Sequence, residues 1–112
     1  MHCTSTYPSK PEEMNLKCIN TMKERYPWAK IGFSNHYPGL SGMVMAYCYG
    51  AEMIELHITL SRAMWGSDQA ASIEPRGLFD LAGRLEIMDK MKGDGNKVVY
   101  GSELPIIAKL RR

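Results

Sequence analysis

Long hydrophobic runs are absent from this sequence of 112 residues. No stretch approaches the ~18 consecutive apolar residues of a spanning helix, so no membrane segment is expected. An excess of one charge is absent too. Fourteen basic residues against twelve acidic ones leave a net charge of +2. That is too little for the concentrated basic face that nucleic acid requires. The one basic cluster, Lys109, Arg111 and Arg112, reads as a solvated tail. Cysteine is scarce: Cys3, Cys18 and Cys48 are odd in number and widely spaced. This argues against a disulfide framework or a paired-cysteine zinc site, and fits free thiols in a reducing cytoplasm. The first residues, Met1 to Pro8, lack the charged and apolar regions of a secretory signal, which points to the same compartment.

What is present is an ordinary globular mixture. With 45% hydrophobic and 23% charged residues, the chain can form one domain around one modest core. His2 to Thr4 reads as the end of a strand, followed by a turn-rich piece from Ser5 to Lys10. Ser9 and Glu12 have the spacing of a capping box, which predicts a helix running to about Tyr26 with Met14, Cys18, Ile19 and Met22 inward. Pro27 ends it. Lys30 to Phe33 is the next expected strand. Leu40 to Tyr49 fits a short close-packed helix stopped by Gly50. Met53 to Ile58 is the third strand, expected to be buried. A polar loop from Thr59 to Glu74 follows, long enough to suggest function. Within it Trp65 reads either as a lid or as a packed aromatic. Pro75 opens the last long helix, whose expected apolar stripe is Leu78, Phe79, Ala82, Leu85, Met88 and Met91. Gly93 to Gly95 closes it.

Strand followed by helix, three times over, predicts an α/β fold with parallel strands and crossover helices. Three such units form either a small open sheet or one part of a larger barrel, since closure needs eight.

Polar residues collect where the apolar strands end. Ser5 and Tyr7, Ser34 and His36, and Glu55 and His57 are each two apart, so an extended chain places each pair on one face. In parallel α/β folds this C-terminal edge is where ligands bind. Two readings of His36 and His57 stand side by side. Each imidazole can simply satisfy a polar neighbour, which is the ordinary fate of a single histidine. Taken together on adjacent strand ends, they favour the other reading: a divalent metal with open positions for water and substrate. Glu55 can orient a ligand or accept a proton. Ser5, Tyr7 and Ser34 can hold a phosphate or carboxylate. His2, with no partner in view, reads as structural, and the methionines read as core filler.

Four segments in order carry a family resemblance. His2-Cys-Thr-Ser-Thr-Tyr-Pro8 resembles the motif HCxSxYP or HCTNxYP. Gly32-Phe-Ser-Asn-His36 resembles GYSDH, and Ile54-Glu-Leu-His-Ile-Thr59 resembles IEKHFT. Gly66-Ser-Asp-Gln-Ala-Ala-Ser-Ile-Glu-Pro75 resembles GPDHxASLEP. Together they are similar to the sialic acid (N-acetylneuraminate) synthase family. The resemblance implies the last three strand-helix units of a TIM barrel, an incomplete barrel over residues 1–95, with 96–112 as a linker-like tail. It implies condensation of phosphoenolpyruvate with an N-acetylated sugar such as N-acetylmannosamine, giving a nonulosonic acid and phosphate. By motif match, His36 and His57 hold Mn2+ or Mg2+. Ser34, Tyr7 and Ser5 contact phosphoenolpyruvate, Asp68 contacts the sugar, and Glu55 is an acidic group beside the metal-binding His57. Asn35, Leu56 and Gln69 depart from the family's Asp, Lys and His, and none of these removes a metal ligand.

The resemblance also implies little or no activity for this chain alone. The family's phosphate-binding lysines lie in units outside it, and its partner is either the rest of the barrel or another copy of the chain. Rival expectations are a legionaminic or pseudaminic acid synthase fragment, or a non-catalytic remnant acting in assembly.

Overall fold

Every residue from Ile31 to His36 is buried, and this segment is the centre of the structure. A computed structural model describes residues 1–110. Arg111 and Arg112, two members of the terminal basic cluster, lie outside the described residues. Three strands, β1 (His2–Cys3), β2 (Gly32–Asn35) and β3 (Met53–Leu56), form a parallel sheet in the order β1-β2-β3. The α-helices are α1 (Cys18–Arg25), α2 (Ser41–Cys48), α3 (Pro75–Met91) and α4 (Leu104–Leu110). The expected mixed α/β order with parallel strands is therefore the order observed.

Register fixes what meets what. Cys3 pairs with Ser34, and Ser34 pairs with Glu55. Because side chains alternate, Phe33, Ile54 and Leu56 face the helices while Ser34 and Glu55 face the other way. Phe33 is 1% exposed and packs in a core with Ile19, Ile31, Met43, Ala46 and Leu81.

Four local expectations need correction. The helix expected from Ser9 to Tyr26 is broken. A 3-10 turn covers Pro11–Glu13, Asn15 has φ +40°, and α1 begins at Cys18. Asn tolerates this left-handed backbone better than most residues, and the break lets Met14 and Leu16 both be buried. Second, β3 is not a buried strand. Ile54 and Leu56 are half-buried, whereas Met53 and Glu55 are exposed, because only one face of the strand meets helices. Third, the stripe on α3 keeps Leu78, Ala82 and Leu85, gains Leu81 and loses Phe79 and Met91. Leu81 is its buried residue, and Leu78, Ala82 and Leu85 join it facing Ile54 and Leu56, at i, i+3, i+4 and i+7 from Leu78. Phe79 and Met91 point away and are largely exposed. Fourth, the long loop ends in sheet pairing. Ile73 bridges Ile58 in parallel, with Thr59 N–H donating to the Ile73 carbonyl and Ile73 N–H to the His57 carbonyl, both at 2.9 Å.

Trp65 is fully exposed, so the packed-aromatic reading fails. His2 does have a partner: its Nε2 lies 2.6 Å from the Met14 carbonyl, and its ring stacks near Phe33. Within the tail, Gly101–Glu103 forms a 3-10 turn leading into α4.

Helices α2 and α3 are tied at the surface. The Tyr47 hydroxyl donates to Asp89 at 2.6 Å, and Lys92 lies 3.4 Å from the same carboxylate oxygen. The Tyr47 hydrogen bond first, and Lys92 second, hold the Asp89 carboxyl below its ordinary value. A depressed carboxylate adds stability above its unfolded pKa and loses it as pH falls through the folded one. The tie is therefore in force at neutral pH and released in acid. Tyr47→Phe is expected to raise the Asp89 pKa, read by carboxyl NMR titration. An unmoved Asp89 would mean that the hydrogen bond does not set it.

Candidate active site at the strand ends

The register continues one step past Asn35 and Leu56, which puts His36 beside His57 as the chain leaves β2 and β3. The two imidazole centroids are 5.4 Å apart. Tyr7 comes from the loop after β1 and lies over both: its ring centroid is 4.1 Å from His36 and 5.7 Å from His57. One row back along the same face, the Ser34 hydroxyl donates to Glu55 Oε1 at 2.9 Å. Asp68 reaches His57 from the long loop, with Oδ2 at 3.8 Å from Nδ1. Of the seven residues singled out from sequence, six thus lie in one neighbourhood. Ser5 stands at the margin, its hydroxyl 3.5 Å from the Cys3 sulfur, which itself lies near His36.

Each imidazole has a defined back. His36 Nδ1 is 2.9 Å from the Thr4 carbonyl, which can only accept, so Nδ1 carries the hydrogen and Nε2 keeps its lone pair. The Cys3 sulfur is a more distant neighbour of the same nitrogen, at 3.8 Å. In His57 the Asp68 carboxylate faces Nδ1, too far for a hydrogen bond but favouring a proton there. Hydrogen-bonded backing like that of His36 is what metal-binding histidines use to fix tautomer and ring orientation, and His57 lacks it at this distance. The donor set fits a divalent ion of the kind imidazole prefers. Among the described residues no cluster of three or more His, Cys, Asp or Glu side chains forms. Two imidazoles are one fewer than the three protein ligands of a catalytic zinc site.

Two residues escaped the sequence reading. Thr4 acts through its backbone carbonyl, which no side-chain motif can reveal. Ser9 looked like a helix cap, yet its hydroxyl lies 3.1 Å from the Thr4 carbonyl and 2.9 Å from that of Thr6. The three departures from the resembled motifs are also placed. Asn35 is 1% exposed and donates to the Tyr37 carbonyl at 2.8 Å, on the helix side of the sheet. Leu56 packs on that same side. Gln69 lies against Gly66, and its buried Oε1 accepts no hydrogen bond.

The same fold occurs in known proteins. Over 98% of this chain and 39% of the other, the structure superposes on an N-acetylneuraminic acid (sialic acid) synthetase from Leptospira borgpetersenii in complex with citrate, with a TM-score of 0.78 and 35% identity. The sequence is 36% identical to the human N-acetylneuraminate-9-phosphate synthase over 98% of this chain and 31% of that protein. It is also 36% identical to the N,N'-diacetyllegionaminic acid synthase of Campylobacter jejuni, over 100% of this chain and 33% of that protein. The chain spans about a third of the length of these curated relatives. The profile of the NeuB family matches residues 1–97, a span that holds all three strands, both imidazoles and the residues behind them, and the chain therefore belongs to the NeuB family.

Proposed function

We propose that this chain carries the metal-binding and substrate-binding strand ends of a nonulosonic acid synthase barrel. The reaction is condensation of phosphoenolpyruvate with an N-acetylated hexosamine such as N-acetylmannosamine, consuming water and releasing phosphate. The observation that supports this most is the His36–His57 pair at 5.4 Å on adjacent parallel strands, roofed by Tyr7, within a NeuB family sequence. The relatives support nonulosonic acids as the product class, since synthases named for N-acetylneuraminate 9-phosphate, diacetyllegionaminic acid and pseudaminic acid match at 32–36% identity.

His36 and His57 would hold Mn2+ or Mg2+ through Nε2. The ion would supply a Lewis acid for the sugar aldehyde and lower the pKa of a bound water. The other roles belong to the chain. Tyr7 offers a hydroxyl donor to the carboxylate or phosphate of phosphoenolpyruvate, Ser34 would do so once its hydrogen leaves Glu55, and Ser5 stands at the margin. Glu55 holds the Ser34 hydroxyl and is the nearest general base on that face. Asp68, from the long loop, is placed to accept hydrogen bonds from sugar hydroxyls while backing His57. The barrel reading explains why the Glu55 face of β3 is polar and open: in a closed barrel that face looks inward.

With this face exposed, the 112-residue chain is expected to condense the two substrates slowly or not at all. Phosphate release with phosphoenolpyruvate, N-acetylmannosamine and Mn2+ measures it. Turnover at ordinary enzyme rates, about 1 per second or faster, would overturn the view that further barrel units are needed. In a complete barrel carrying this segment, Glu55→Gln is expected to lower kcat by about 100-fold or more. An unchanged kcat there removes Glu55 from the chemistry.

A further inference from the structure

We infer that Ser9 is a positioning residue for the imidazole pair: through the Thr4 carbonyl it sets the tautomer and orientation of His36. The role in metal binding rests on the function proposed above; the role in setting the tautomer does not.

Thr4 lies just past β1, so the sheet ladder does not hold its carbonyl in place. Yet that carbonyl decides which His36 nitrogen carries the hydrogen, at 2.9 Å from Nδ1. A carbonyl oxygen has two lone pairs. One takes the imidazole N–H, and the Ser9 hydroxyl, 3.1 Å away, is placed to take the other. The same hydroxyl reaches the Thr6 carbonyl at 2.9 Å, so the one hydroxyl hydrogen is shared between two turns of the loop. Ser9 also donates its backbone N–H to the His36 carbonyl at 3.0 Å. It thus grips the loop from inside and docks it on the residue that the loop must orient.

Burial agrees with this role. Ser9 is 6% exposed, while Ser5 to Pro8 and Lys10 to Glu13 on either side are exposed. Tyr7 belongs to the gripped loop, so the clamp also helps hold its ring over His36. A buried serine used only as a helix cap would donate or accept at a helix N-terminus, and here the turn at Pro11–Glu13 has no side-chain cap. Removing the hydroxyl leaves the backbone link to His36 intact, so Ser9→Ala keeps the loop docked but frees the Thr4 carbonyl to rotate.

The test is nitrogen NMR of the imidazole rings in the full 112-residue chain, without metal and with the rings neutral, followed by a manganese titration. The unaltered chain is expected to show His36 protonated on Nδ1. Ser9→Ala is expected to give a mixture of tautomers and to weaken manganese binding by up to about 10-fold, the lower end of what losing the group directly behind a metal-binding histidine costs. Ser9→Thr, which restores a hydroxyl, is expected to restore both. A His36 protonated on Nε2 in the unaltered chain overturns the proposal. So does a Ser9→Ala protein with an unchanged tautomer and unchanged affinity. If that variant does not fold, Ser9→Cys replaces it: its weaker donor should still perturb the tautomer, and an unperturbed ring there is equally fatal. A chain that takes up no manganese at all defeats the metal reading, and the tautomer comparison still decides the role of Ser9.

Discussion

His57→Ala, and separately His36→Ala, are each expected to lower manganese affinity by more than about 100-fold, beyond the about 10–100-fold that follows loss of an outer group. The reason is geometric. Among the described residues the register brings the two imidazoles together at this edge, and no cluster of three or more ligating side chains exists to take over. Removing one leaves a single nitrogen, which holds a divalent ion no better than an exposed histidine elsewhere. His57 is partly exposed, with 34% of its side chain accessible, so its substitution should leave the fold nearly unchanged and give the cleaner result. His36 is 5% exposed and also bonds Thr4, so its replacement carries a stability cost as well. Calorimetric titration checks both. Unchanged affinity in both variants would remove the metal from the proposed function and leave the histidines as structural residues.

Phe33→Ala is expected to destabilise the chain by about 3–5 kcal/mol, the usual cost of deleting a buried aromatic. The ring is 1% exposed and sits at the middle of the central strand, between His2 on β1 and Ile54 on β3. Total stability for a domain of this kind is only about 5–15 kcal/mol. The loss is therefore a large fraction of what holds the sheet together, and in a small core little else can collapse into the space. A urea denaturation midpoint reads it directly. Trp65→Ala is the matched comparison: the indole is fully exposed, and its removal should change stability by no more than about 0.5 kcal/mol. Equal effects of the two substitutions would mean that the core does not lie where the buried residues place it.

Much of this molecule is readable locally. Alternation of apolar strands and amphipathic helices specifies a parallel α/β order, because crossover connections leave few other arrangements. The polar residues two apart at Ser34–His36 and Glu55–His57 mark the functional edge for the same reason, since strand periodicity puts each pair on one face. Readings that needed non-local information went astray. The Ser9–Glu12 spacing matches a capping box, but the Ser9 hydroxyl donates back to the Thr4 and Thr6 carbonyls instead, a choice set by how the loop folds onto His36. The α3 stripe could be phased several ways, because Leu78, Phe79, Leu81, Leu85 and Ile87 are all apolar; burial in the core selects Leu81, with Leu85 packed against it. Ile73 reads as part of a loop until Ile58 lies alongside it.

What the sequence by itself determined is the inventory: which elements form, in what order, and which polar groups stand at their ends. Those are consequences of local periodicity and of residue chemistry. Only the tertiary structure decided which atoms meet. His36 and Thr4 are 32 positions apart, and Ser34 and Glu55 are 21 apart. Strand register, set by burying Phe33 and Ile54 on one face, closes those distances to hydrogen-bonding range. That is the step that turns two distant histidines into an adjacent pair, with His36 Nδ1 held on the Thr4 carbonyl.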